Sequence, residues 1–184
     1  DEVEELRKEL EDSSREVEEL IRRLNKEVEK STREVAKRVK DSNKRLDEIL
    51  KKVAEEVKKR SKETAKRIIE EVMRRVREAL RRNEEIAERN RRLLERVHDT
   101  SRKIVETNKD RLDRVLERIR NLPVDREIVE RVREEVEKLK KRSEDLLERD
   151  KESIDKLDKE TKELVEESRK SVRDIERELK KLSD

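Results

Sequence analysis

The sequence predicts an all-α protein made of three long, straight helices. Apolar residues recur every 18 residues along the chain, glycine is absent, and Pro123 is the only proline. Eighteen residues make five turns of an ideal helix, so each apolar residue and its counterpart one repeat later lie on the same face. A heptad repeat would impose a left-handed supercoil, whereas this longer repeat predicts helices that are nearly straight.

Three blocks of the chain carry this repeat. One apolar row from each block runs Val3, Ile21, Val39, Val57; then Ile68, Ile86, Ile104, Leu122; then Ile128, Leu146, Leu164, Leu182. The blocks predict helices over approximately residues 2–58, 62–121 and 125–182, each roughly 90 Å long at the usual rise per residue. Because the blocks are equal in length, we expect them to form one helical-bundle domain over residues 1–184.

The two connections between the blocks differ in strength. Asn121 can end the second helix, Pro123 cannot continue it, and Asp125 can cap the third. Near Ser61 the apolar stripe shifts by roughly 100° around the helix axis, and Ser61 is a possible N-cap. A turn there gives an up-down-up unit of three helices. Without that turn, the first two blocks form one very long helix beside a C-terminal helix. Either arrangement would assemble as a multi-helix bundle.

The charge pattern is that of solvated helix faces. Charged residues make up 58% of the chain and hydrophobic residues 29%; the 55 basic and 52 acidic residues are interleaved. Such interleaving supplies i,i+4 pairs and differs from a nucleic-acid-binding tail. No aromatic residue is available for base stacking or membrane anchoring, so we expect neither nucleic-acid nor membrane partners. We find no membrane span or signal peptide, and expect a soluble protein of unknown compartment.

Several polar residues lie within the apolar stripe of a helix, here called its seam, at positions where the repeat would place an apolar residue. In an up-down-up bundle, second- and third-helix residues lie level when their numbers sum to about 250, and first-helix residues lie level with third-helix residues about 125 later. This level map gives two layers: Ser42 or Asn43 with Asn83 and Ser168, and Asn25 with Ser101 and Asp150. It also gives two pairs: Asn90 with Thr161, and Asn108 with Ser143. We expect buried hydrogen bonds that penalise a wrong register. Chance alignment of common Ser and Thr residues is the alternative.

The single histidine, His98, lies at the edge of the second seam near the level of Asp150. We expect it to be a hydrogen-bonded member of the polar layer; the alternative is a pH-sensitive contact, because histidine titrates near neutral pH. Glu95 and His98 have the spacing found in di-iron bundles, but such sites need further inward glutamates, and no Glu occupies a seam position. Asp150 would be costly to bury alone, so we expect a donor from His98, Ser101 or Asn25.

No sequence motif for catalysis is present. Phosphate loops, dinucleotide fingerprints and nucleophile elbows all require glycine, and the chain also lacks cysteine. We therefore expect no enzymatic activity, no cofactor, no metal and no small-molecule substrate.

The joint absence of glycine and aromatic residues, the strict repeat and the polar layers resemble computationally designed helical bundles with buried hydrogen-bond networks. The resemblance covers all 184 residues and depends on composition and residue pattern rather than on a diagnostic motif. It implies a self-assembling structural protein with no natural activity, often a symmetric homo-oligomer whose specificity comes from its polar layers.

The second seam has the widest apolar arc, which favours a homotrimer built around that helix. The remaining alternatives are a designed switch between bundle states, a natural spectrin-like coiled-coil scaffold, or a bundle that binds a partner helix.

Overall fold

The structure, a computed structural model, describes all 184 residues. It contains three helices, α1 (Glu2–Lys58), α2 (Lys62–Arg120) and α3 (Arg126–Ser183). They have 57, 59 and 58 residues, and the chain has no strand. The predicted all-α class is confirmed, and each predicted helix end lies within one residue of the observed end.

A turn of three residues, 59–61, separates α1 from α2. The backbone amides of Lys59 and Arg60 each donate to the carbonyl three residues earlier, at 3.2 Å. Ser61 caps α2, because its Oγ accepts from the backbone amide of Thr64 at 3.4 Å. No residue of the chain has a positive φ, so this turn does not require glycine. The chain therefore turns near Ser61 rather than continuing as one long helix.

The second turn, residues 121–125, contains the proline. The amide of Leu122 donates to the carbonyl of Ile119 at 3.1 Å, and the amide of Val124 donates to the carbonyl of Leu122 at 2.8 Å. Pro123 has no amide hydrogen to extend α2. Asp125 then starts α3 through its backbone carbonyl, which accepts from the amide of Ile128 at 3.0 Å.

The helices divide into two compact units, and each helix contributes a segment to both. Unit 1 contains Asp1–Glu29 and Leu93–Asp155, and unit 2 contains Lys30–Arg92 and Lys156–Asp184.

Contacts between the helices give the direction of each segment. In unit 1, residue numbers on α3 rise with those on α1, in the ion pairs Arg7–Glu135 and Glu18–Arg142. In unit 2, residue numbers on α2 fall as those on α1 rise, in the hydrogen-bonded pairs Ser31–Asn90 and Ser42–Asn83. These are the directions of an up-down-up bundle.

Apolar side chains fill the interior of both units. Leu112 and Val136 are fully buried in unit 1, and Val76 and Leu179 are fully buried in unit 2. Each such side chain contributes roughly 1.5 to 3 kcal/mol relative to exposure. Packing of the stripes therefore holds the helices together, since helix propensity alone contributes little. Leu20, which is 38% exposed, is the one exposed large apolar side chain.

Candidate functional site

A hydrogen-bonded layer in unit 2 joins all three helices. Asn83 on α2 donates through Nδ2 to Ser42 Oγ on α1 at 3.0 Å and to Ser168 Oγ on α3 at 3.2 Å. Ser168 donates to Asn43 Oδ1 at 2.5 Å, and Asn43 donates to the carbonyl of Leu164 at 3.0 Å. The structure thus brings together the four residues that the level map grouped, with Ser42 and Asn43 both taking part.

Asn90, also in unit 2, has both of its partners on α1. Its Oδ1 accepts from Ser31 Oγ at 2.8 Å, and its Nδ2 donates to Thr32 Oγ1 at 2.8 Å. The predicted pairing with Thr161 is wrong. Thr161 is buried, but its hydroxyl donates to the carbonyl of Leu157 in its own helix at 3.1 Å. A threonine in a helix interior has this carbonyl within reach, four residues back, whether or not a neighbouring helix offers a partner.

Asn108 repeats this arrangement in unit 1. Its Oδ1 accepts from Ser13 Oγ at 2.5 Å, and its Nδ2 donates to Ser14 Oγ at 3.3 Å. The predicted pairing with Ser143 is also wrong, because the buried Ser143 hydroxyl donates to the carbonyl of Leu139 at 3.1 Å. Asn108 and Asn90 therefore both connect α2 to α1 rather than to α3.

Sequence reasoning missed four α1 residues that take part, namely Ser13, Ser14, Ser31 and Thr32. Each lies in one of two adjacent polar pairs, and Ser13, Ser14 and Thr32 are buried. The level map already contained the signal. Its two rules together imply that numbers on α1 and α2 sum to about 125 at one level, which is close to the observed pairs. A pair of adjacent hydroxyls also spans 100° of helix surface, so one amide can reach both.

The second predicted layer, that of Asn25, Ser101 and Asp150 in unit 1, is not joined by hydrogen bonds. Asn25 Nδ2 donates to Glu29 Oε1 on the same helix at 3.3 Å, whereas buried Asn25 Oδ1 and Asp150 Oδ2 have no partner. The prediction that His98, Ser101 or Asn25 would donate to Asp150 is wrong. Ser101 is buried and His98 is half-buried, and neither bonds to it. The one recorded donor of this layer on α1, Asn25 Nδ2, is directed to Glu29 rather than to Asp150.

The environment of Asp150 favours its neutral form. Burial raises the pKa of Asp150 above its ordinary value, and the negative charge of Glu29 raises the pKa further. Arg22 acts in the opposite direction and lowers the pKa. Glu29 also accepts from Ser153 Oγ at 3.4 Å, so Asn25, Glu29, Asp150 and Ser153 form one cluster between α1 and α3 of unit 1.

A buried carboxylate that the sequence did not single out lies nearby on α1. Glu18 is 6% exposed, and its Oε1 lies 2.9 Å from Arg142 Nε on α3. Its Oε2 lies 3.9 Å from Arg22 Nη2 on α1. The side chains of both arginines are mostly exposed, so Glu18 is the desolvated member of the pair. The 18-residue repeat gives no sign of it, because Glu18 is one of many glutamates on α1.

The chemistry that these sites offer is hydrogen bonding between helices. The described side chains include no group of three or more His, Cys, Asp and Glu residues that could hold a metal ion. None of the three helices is apolar enough over a sufficient length to cross a membrane. The polar layers instead connect helix to helix, through amide and hydroxyl groups with little access to solvent.

Comparison with known proteins agrees with the architecture. No protein-family model matches the chain, and no curated protein matches it in sequence. A solved structure described as a "Computationally designed three helix bundle" matches over 100% of this chain and 88% of its own, with a TM-score of 0.58 and 17% identity. The fold is a three-helix bundle. At this identity the likeness concerns the fold alone, and the neighbour's design origin is a statement about that protein.

Proposed function

We propose that this chain is a designed structural protein whose task is to fold into a three-helix bundle of defined register, without catalytic activity. Four features support the proposal: the lack of glycine and aromatic residues, the 18-residue repeat, the designed neighbour of the same fold, and the polar layers. The polar layers are the strongest support, because composition points only to a designed origin, whereas the layers indicate the register that the helices adopt.

The observation that carries the proposal is the placement of three asparagines in the α2 seam. Asn83, Asn90 and Asn108 are each 3 to 4% exposed, and each amide bonds to hydroxyls of α1. A seam optimised for stability alone would carry leucine at these positions, because an apolar replacement of a whole buried polar group is often neutral or stabilising. Asparagine in such positions is instead typical of seams that select one register.

The polar layers raise the free energy of the wrong registers. If α1 slides by one turn, each asparagine amide faces apolar side chains, and every buried group that loses its partner costs about 1 to 3 kcal/mol. An apolar seam with an 18-residue repeat would tolerate many slides, because valine, leucine and isoleucine recur on the same face. The polar layers therefore supply specificity that the repeat by itself does not.

The test replaces all three asparagines with leucine and their α1 hydroxyl partners with alanine or valine. We expect a thermal unfolding midpoint equal to or above that of the parent, together with broadened or duplicated amide signals in two-dimensional NMR spectra. The matched control replaces the exposed Thr100 and Thr107 with valine. A variant with one sharp set of signals, like the parent, would contradict the proposal.

A homotrimer is a second candidate, favoured by half-buried apolar side chains. Ile68, Ile86 and Ile104 form one row of α2, and each keeps part of its surface exposed in the single chain, as does Leu122 in the turn that follows α2. Association around α2 would bury this row, and the polar layers would then also determine the number of chains in the oligomer. Light scattering tests this directly: a mass of three chains supports it, and a single-chain mass at all concentrations contradicts it.

Scattering at several pH values and temperatures also tests a switch between bundle states, which requires a change in particle length.

A further inference from the structure

We infer that α2 and α3 together form a docking face for α1 that a second copy of this chain can fill, through exchange of α1 about the turn at residues 59–61. The partner is another copy of the same chain, and the interface is the α1 contact already present within one chain. The inference goes beyond the proposed structural role and does not depend on the origin of the sequence.

The polar groups of the docking face select α1. In unit 2 both partners of the Asn90 side chain are α1 hydroxyls, those of Ser31 and Thr32. In unit 1 the Asn108 amide likewise bonds to two adjacent α1 hydroxyls. When α1 leaves, these amides lose their partners. A helix that restores the contacts must present hydroxyl pairs at the same spacing, and α1 of a second copy does so by identity.

The turn at residues 59–61 is compatible with a continuous helix. Lys59 and Arg60 are good helix formers, Ser61 is acceptable in a helix, and none of them has a positive φ. Arg60 already contacts Glu56 as it would within a helix, since its Nε and Nη2 lie 3.1 and 2.7 Å from Glu56 Oε1 across an i,i+4 spacing. The outward swing of α1 therefore replaces three turn residues with three helical ones.

The second turn cannot straighten in the same way. Pro123 has no amide hydrogen, and its ring clashes with the carbonyl four residues earlier in a helix interior. Exchange of α3 about residues 121–125 is therefore strongly disfavoured. The two turns thus identify α1 as the element that moves.

Exchange gives a closed, two-fold dimer. With residues 59–61 helical, α1 and α2 form one helix and α1 cannot fold back on its own α2. A second copy aligned antiparallel presents its α2 and α3 to the departing α1 and receives α1 in return. Both copies then make the same interface, so assembly stops at two chains.

Concentration controls the balance between the two forms. Within one chain a short turn holds α1 near its docking face at an effective concentration of about millimolar. Micromolar chains therefore fold as monomers. Chains refolded from denaturant near that concentration form exchanged dimers, which revert slowly on dilution because α1 must undock first.

The experiment refolds the full chain at about 5 µM and about 1 mM and measures mass by light scattering after chromatography. Lys62→Pro is the locking variant. Lys62 is the first residue of α2, where proline is well tolerated, but a continuous helix would place it in the interior. We expect dimer in the parent at the higher concentration, at least about a hundredfold weaker dimerisation in Lys62→Pro, and more dimer in Ser61→Ala, which removes the cap.

Arg126→Pro is the matched control, because Arg126 is the first residue of α3 and α3 does not exchange. We expect this variant to dimerise like the parent. Equal helicity of the Lys62→Pro and parent monomers by circular dichroism verifies that the lock leaves the fold intact. The inference is overturned by an absence of dimer in the parent and in Ser61→Ala. It is equally overturned by a dimer or trimer that Lys62→Pro leaves unchanged. Either result leaves the register proposal standing, since that depends on the asparagine variants.

Discussion

The side-chain amide of Asn90 donates to Thr32 Oγ1 at 2.8 Å, so a buried α2 residue is fixed to α1 through one specific hydroxyl. The neighbouring Ser31 donates to Asn90 Oδ1 at the same distance. An amide that uses its donor and its acceptor on adjacent residues fixes both the height and the rotation of α1. An apolar contact of the same area would constrain neither as tightly, because dispersion and hydrophobic burial are non-directional.

Replacement of Asn90 with leucine leaves Ser31 without its amide partner and removes one of the bonds of Thr32. We expect the free energy of unfolding to fall by about 1 to 2 kcal/mol, because single-partner deletion strands a buried polar group. Urea denaturation measures the change. Arg89→Ala, at an exposed neighbouring position, should change the free energy of unfolding by less than about 0.5 kcal/mol. Equal effects of the two substitutions would contradict the assigned role of Asn90.

The helices were predictable because one pattern specified them. An apolar position every 18 residues defines a face of a straight helix, and the first turn shows in the sequence as a change of that face near Ser61. The layer of Asn83 with Ser42, Asn43 and Ser168 was predictable too, because level is set by residue number alone in a bundle of equal helices.

The partners of Asn90 and Asn108 were not predicted because level does not specify direction. At each level an α2 residue can face α1 or α3, and the choice depends on helix rotation, which the apolar stripe defines only to within its own width. Thr161 and Ser143 could also satisfy their hydroxyls within α3, and they do. Glu18 was missed for a related reason, since burial of one glutamate among many depends on its neighbours across the interface.

Asp150 should make stability depend on pH in the direction opposite to most carboxylates. Burial, with the charge of Glu29, raises the folded-state pKa of Asp150 above its unfolded value. The protonated form is therefore favoured in the folded state. Its contribution to stability is fully present below the unfolded pKa and is lost as pH rises through the folded pKa. Asp150→Asn mimics the neutral form, so we expect the variant to be more stable than the parent at pH 7.

The advantage of Asp150→Asn over the parent should shrink as pH falls through the folded pKa of Asp150. Denaturation curves from pH 7 to pH 3 measure the difference between the two proteins, which cancels the titration of other carboxylates. Asp155→Asn, at an exposed position of the same helix, supplies the reference. A parent-to-variant difference that stays constant with pH would contradict an elevated pKa for Asp150.

Arg142 should matter more than its exposure suggests. Its partner Glu18 is a buried carboxylate, and Arg142→Ala leaves that charge with only the more distant Arg22. We expect a loss of about 1 to 2 kcal/mol in the free energy of unfolding, below the value for a fully buried pair because Arg142 itself remains solvated. Arg131→Ala breaks the exposed pair with Glu127 and should cost little. Double substitution of Glu18 by Gln and Arg142 by Ala should recover part of the loss, and no recovery would contradict a stranded charge.

The apolar core and the apolar surface should respond differently to the same substitution. Leu179 is fully buried in unit 2, and Leu179→Ala removes its packing and leaves a cavity, so we expect a loss of about 2 to 5 kcal/mol. Leu20→Ala removes a side chain that is 38% exposed in the single chain, and we expect a change below about 0.5 kcal/mol. Thermal or urea denaturation at micromolar concentration measures both. A loss of several kcal/mol at Leu20 that grows with chain concentration would instead mean that a second copy covers this residue, because only association makes the cost of a surface truncation depend on concentration.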